Sequence, residues 1–155
     1  MRSISQCGRC IEDICVFYKQ APTYNPQGIV EIKEAKRRKK RVLAEYAIYK
    51  NHEIQNEYIQ RFTNYPTHLL EYANEAINGR NRLHPTQKPV ALLEYLIRTY
   101  TKLGELVLDN CMGSGSTGVA AVNSGRRFIG IEKEQNYYEI AKQRINDAVF
   151  SLDKK

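Results

Sequence analysis

Residues 105–131 constrain what this chain can fold into more tightly than any other stretch. Glu105-Leu106-Val107-Leu108-Asp109 is a short apolar run that ends in a carboxylate, the pattern of a strand buried on both faces. A glycine-rich turn follows, then a helix of small residues over 116–124 closed by Gly125, then a second apolar strand, Arg127-Phe128-Ile129-Gly130-Ile131. Strand, helix and strand within about thirty residues predict a parallel pair joined by a right-handed crossover. The fold class is therefore α/β, with a partial doubly wound parallel sheet, and ligands are expected beyond the carboxyl ends of its strands. Asp109 and Glu132 stand at two such ends.

Around this unit the elements are less sharply drawn. Pro89 suits the first position of an amphipathic helix, because its fixed φ fits there and its missing N–H is not needed. Leu92, Leu93, Leu96, Ile97 and Tyr100 would form the apolar stripe. A last helix is expected near Asn136, a good N-cap with Glu139 three residues on, burying Tyr138, Ala141, Ile145 and Val149. Residues 12–18 are rich in strand formers and precede a turn-prone stretch at 21–28; a further short strand is expected at 68–73. Between them, residues 33–41 carry seven basic side chains and one acidic one, a solvated or phosphate-bound segment.

With 155 residues, 42% of them hydrophobic, the chain has room for one ordinary domain. The excess of 24 basic over 17 acidic side chains, net +7, favours a polyanionic partner, and nucleic acid leads that class. No apolar run approaches the roughly 18 residues of a membrane span, and residues 1–6 lack the apolar core of a signal peptide, so a cytoplasmic location is expected. Cys7 and Cys10 have the spacing of half a zinc site, but no second pair follows, and Cys15 and Cys111 do not complete a disulfide framework. Reduced thiols and no metal are the expectation.

Gly113-Ser114-Gly115-Ser116-Thr117-Gly118 fits G-x-G-x-x-G, in which absent Cβ atoms let backbone approach a ligand at a helix N-terminus. With an acidic residue at the next strand end, the pattern suits a nicotinamide dinucleotide, Glu132 bonding ribose hydroxyls. Against that, three residues separate Asp109 from Gly113, whereas a dinucleotide turn puts its first glycine close to the strand end. His84-Pro85-Thr86-Gln87-Lys88-Pro89 would also have no part in such a site.

These motifs together resemble the DNA methyltransferases that modify the amino groups of adenine (N6) or cytosine (N4), in the order where the catalytic half precedes the cofactor half. The resemblance is strong over 84–144 and weaker over 12–27 and 62–72. It implies S-adenosyl-L-methionine as cofactor, with Asp109 facing its methionine part, Glu132 its ribose, and the loop from Cys111 through Gly113, Ser114, Gly115, Ser116 and Thr117 around it. Thr86, Gln87 and Lys88 would hold the cofactor's amino-acid end, since a hydroxyl and an ammonium suit a carboxylate. His84 fits a turn histidine bonded to backbone as well as it fits a ligand contact.

By the same resemblance, residues 1–21 would close the catalytic half, 22–83 would form an irregular target-recognition segment, and 84–155 the cofactor part. Lys36, Arg37, Arg38, Lys39, Lys40 and Arg41 would then contact double-stranded DNA through its phosphates. Asn110 and Cys111 depart from the family's Pro-Phe. The larger departure is that no two of the five prolines are adjacent, so the Pro-Pro-aromatic tetrapeptide that holds a flipped base is missing. No catalytic residue is assigned; the expectation is a chain inactive alone, from a restriction-modification or phage setting, truncated or dependent on a complementary catalytic-half polypeptide. Its competitors are the nicotinamide domain and a basic DNA-binding remnant without activity.

Overall fold

The computed structural model describes residues 12–39, 57–66, 69–73, 83–152 and 154. The element order is β1 (Val30–Lys39), β2 (Glu57–Thr63), α1 (Val90–Tyr100), β3 (Leu106–Asp109), α2 (Ser116–Asn123), β4 (Arg127–Gly130) and α3 (Gln135–Leu152). The expected strand–helix–strand unit is present. β3 and β4 pair in parallel, Leu106 with Arg127 through Asp109 with Gly130, and α2 forms the crossover between them. The described residues are thus α/β.

The covered side of this pair is a small-residue core. Ala120 and Ala121 are fully buried and Ile97 nearly so, with Val90, Leu93, Val107 and Phe128 packed against them. Small side chains on α2 let its neighbours come close: a Cβ at Gly118 would stand 2.3 Å from Cδ1 of Ile145 and 2.8 Å from the Phe128 ring. Strand geometry sends alternate residues to opposite faces. Val107 and Phe128 therefore point to the helices, while Leu106, Leu108, Ile129 and Ile131 are 48%, 62%, 49% and 55% exposed on the other side. Parallel sheets are ordinarily covered on both faces. Here, among the described residues, only one is.

Several expectations need correction. Residues 12–18 form no strand; they are exposed, Phe17 most of all, because no described strand pairs with them. Residues 69–73 are not a strand either, and residues 67–68 lie outside the described set. The stretch expected to be irregular contains an antiparallel pair instead, β1 with β2, from Val30 opposite Thr63 to Lys39 opposite Glu57, with an irregularity between Glu31 and Lys36. Asn64 supports it from its positive φ of 58°, its side-chain amide donating to the Gly28 carbonyl at 2.6 Å. The last helix starts one residue before Asn136, and of its expected stripe only Ala141 is fully buried, while Tyr138 and Val149 are exposed.

The turn-prone stretch before β1 is anchored. Asn25 donates its backbone N–H to the Thr99 carbonyl at 2.7 Å and its side-chain amide to the carbonyls of Arg98 and Thr101. These are carbonyls at the C-terminal end of α1, where the helix has no further N–H to offer. Arg126 serves the same end, donating to the carbonyl and hydroxyl of Thr101.

Candidate cofactor site

Three segments converge at the carboxyl ends of β3 and β4. The first is the loop itself, which turns on Gly113 (φ +52°) and Gly115 (φ +79°) and enters α2 at Ser116. Positive φ is open to glycine at little cost, and a Cβ at Gly115 would also meet that of Ala141 at 2.7 Å. Residues Met112, Gly113, Ser114, Gly115 and Ser116 are all buried. The loop is fixed from below and cannot take a larger residue at Gly115 without moving α3.

The second segment is the pair of strand-end carboxylates. Asp109 accepts the Thr117 hydroxyl at 2.6 Å on one oxygen and the Cys111 backbone N–H at 3.1 Å on the other. Glu132 accepts the Gly113 backbone N–H at 2.8 Å and that of Glu134, just ahead of α3, at 3.0 Å. These bonds favour the ionised form and hold Glu132 below the usual glutamate range, the Glu134 N–H contributing most, against the opposing effect of partial burial. An ionised carboxylate has about four acceptor positions, so both groups keep capacity for a ligand's hydroxyl or ammonium.

The third segment is the turn at residues 84–89. The His84 ring lies against Gly113, where a Cβ would meet it at 3.3 Å, and edge-on to Tyr137 with ring centroids 4.3 Å apart. Thr86 donates its backbone N–H to Nδ1 of His84, so the histidine serves both the turn and the loop. Gln87 accepts from the Leu83 N–H and from the Ser114 hydroxyl, the latter at 3.4 Å. A pocket lies between these pieces, walled by His84, Thr86 and Lys88 on one side and by Asp109, Cys111, Gly113, Ser114, Ser116 and Thr117 on the other.

Lys88 does not stand open. Its ammonium pairs with Glu12 at 2.6 Å, both side chains being substantially exposed. Ion pairs of that kind are worth about 0–1 kcal/mol, so an anionic ligand group can displace Glu12. The basic run is likewise partly engaged. Arg37 pairs with Glu57 at 2.8 Å and Arg38 donates to Gln60 at 2.9 Å, both across the strand pair. Lys36 and Lys39 lie on the same strand, while Lys40 and Arg41, like Cys7 and Cys10, fall outside the described residues.

Arg144, marked by no motif in the sequence, reaches Ser114 and Ser116 from α3. One signal was available: a cation three residues after Ala141 and one before Ile145 sits on the buried side of its helix. Among the described residues no group of three metal-ligating side chains is found, and no helix is long and apolar enough to cross a membrane.

Over part of its length the chain is similar to known proteins. Type II methyltransferase M2.DpnII of Streptococcus pneumoniae is 55% identical over 62 residues, which are 40% of this chain and 23% of that protein. Type II methyltransferase M2.LlaDCHI of Lactococcus lactis subsp. cremoris is 52% identical over 63 residues, 41% of this chain and 23% of its own length. The crystal structure of the M1.HpyAVI–SAM complex is 52% identical, covering 41% of this chain and 31% of that one with a TM-score of 0.40. The chain thus spans about a quarter of the length of these curated relatives. The N6/N4 methyltransferase family model, described as DNA methylase, matches residues 5–143 and so takes in the paired strands as well as the loop. By that match, the chain belongs to the N6/N4 DNA methylase family.

Proposed function

We propose that this chain is the cofactor-binding and DNA-recognition portion of a site-specific DNA amino-methyltransferase, acting on adenine N6 or cytosine N4. The cofactor is S-adenosyl-L-methionine, which when bound supplies an activated methyl group. One observation carries this reading. Asp109 and Glu132, at adjacent parallel strand ends, are both hydrogen-bonded into the glycine-rich loop, through Thr117 and Gly113. A dinucleotide would bring its pyrophosphate to the start of α2, where these two carboxylates repel it and where the Gly113 N–H is already donated. A neutral ribose and a zwitterionic amino acid suit the same place. Glu132 would accept from ribose hydroxyls and Asp109 from the amino acid's ammonium. Thr86, Gln87 and Lys88 would serve its carboxylate, with Glu12 released.

β1 would meet the phosphates of double-stranded DNA through Lys36 and its neighbours, positioning the duplex without reading its sequence. The base-holding tetrapeptide has no counterpart in this sequence, and no catalytic residue is assigned. Methyl transfer would need a catalytic half that these 155 residues do not hold, and the bare aliphatic face of β3 and β4 is a surface such a half could cover.

Calorimetric titration tests the cofactor assignment. The chain should bind S-adenosyl-L-methionine in preference to a nicotinamide dinucleotide, and Glu132→Ala should weaken that binding by about tenfold or more, the scale of a charge-assisted hydrogen bond. Preference for the dinucleotide, or equal affinity for variant and parent, would sink it.

A further inference from the structure

We infer that Arg144 is a positioning residue, which holds the glycine-rich loop in its binding shape from below. The inference rests on the proposed function only for the identity of the ligand.

Arg144 belongs to α3, and its Nη1 donates to the Ser114 carbonyl, to the Ser114 hydroxyl at 3.2 Å and to the Ser116 hydroxyl at 3.3 Å. Ser114 and Ser116 are 3% and 6% exposed, so their oxygens have little recourse to water. A buried acceptor without a donor is costly, and the guanidinium supplies the donor.

Helix electrostatics do not account for the placement. Ser116 is the first residue of α2, and a cation beside a helix N-terminus opposes the macrodipole. What Arg144 gains is the loop's acceptors. Its root is also fixed, since Ala141, one turn earlier on α3, already packs against Gly115.

The bond has a further effect on the site. A guanidinium can only donate, so the Ser114 hydroxyl accepts from Arg144 and must turn its own proton elsewhere. That proton goes to the Gln87 side-chain carbonyl at 3.4 Å. Gln87 neighbours Thr86 and Lys88. One guanidinium thus joins α3, the loop, and the turn that walls the pocket's other side. All three oxygens lie around one nitrogen, Nη1, so lysine keeps the charge and a single donor nitrogen but loses the guanidinium's reach and planar orientation.

The test compares the full chain with Arg144→Met and Arg144→Lys. Amide hydrogen exchange is read without ligand, and binding of S-adenosylhomocysteine by calorimetry. The expected result is exchange at residues 113–117 faster by about tenfold in the methionine variant, with β3 and β4 unchanged, and intermediate for lysine. S-adenosylhomocysteine affinity should fall in the same order. Exchange that is unchanged in the loop, or that rises equally in β3 and β4, would overturn the inference, as would a loosened loop that binds as tightly as the parent. If the methionine variant does not fold, the lysine variant is judged by the same two criteria. A parent chain that fails to bind S-adenosylhomocysteine would remove the proposed function, and the exchange result alone would then decide the role of Arg144.

Discussion

Glu132 ties the glycine-rich loop, through Gly113, to the backbone just ahead of α3, through Glu134, at the end of the helix away from Arg144 and Ala141. The link needs the carboxylate ionised, and the folded protein holds its titration below the ordinary value of 4.5, chiefly through the Glu134 N–H. A lowered carboxyl contributes stability that is fully present above the unfolded value and is lost as pH falls through the folded one. In melting curves taken from neutral pH to about pH 3, Glu132→Gln should therefore lose less stability on acidification than the parent. Superimposable acid limbs would show that the carboxylate links nothing. The placement of Asp109 and Glu132 could be read from the sequence, because a carboxylate ending an apolar run is a local pattern. The partner of Lys88 could not, since Glu12 lies 76 residues away.

At the level of elements the outcome divides by range of contact. α1, β3, α2, β4 and α3 were expected within a residue or so of where they stand, since each is fixed by its own periodicity and punctuation. β1 and β2 were not: β1 is a run of charges with no sustained alternating pattern, β2 carries strand formers in a stretch otherwise polar, and only the pairing of these two distant segments makes both strands. Residues 12–18 failed in the opposite sense: strand propensity without a paired neighbour left them exposed and outside any strand. Close packing of the loop on α3 yields a prediction of its own. Gly115→Ala faces both a positive φ and Ala141 atoms within 3 Å, and should cost about 2–4 kcal/mol in urea denaturation. Gly104→Ala, with the same backbone sign and open space around it, should cost only about 1–2 kcal/mol. Equal losses would mean that α3 gives way freely.

On the scale of the molecule, charge and apolar surface lie in different places. The net charge of +7 was plain from composition, but which cations are available depends on β1. Arg37 is already paired with Glu57, whereas Lys36 is exposed. If β1 lies on DNA phosphates, Lys36→Ala should lower affinity for every sequence and reduce the slope of log affinity against log salt by about 1, with a smaller change for Arg37→Ala. Unaltered slopes for both would make the strand a solvated surface. The bare face of β3 and β4 has a different consequence. Among the described residues nothing covers Leu106, Leu108, Ile129 and Ile131, and anything that settles on them binds the folded chain and not the unfolded one. If a partner covers that face, mass action enters the thermodynamics, and the melting temperature becomes a property of how much protein and how much partner is in the tube.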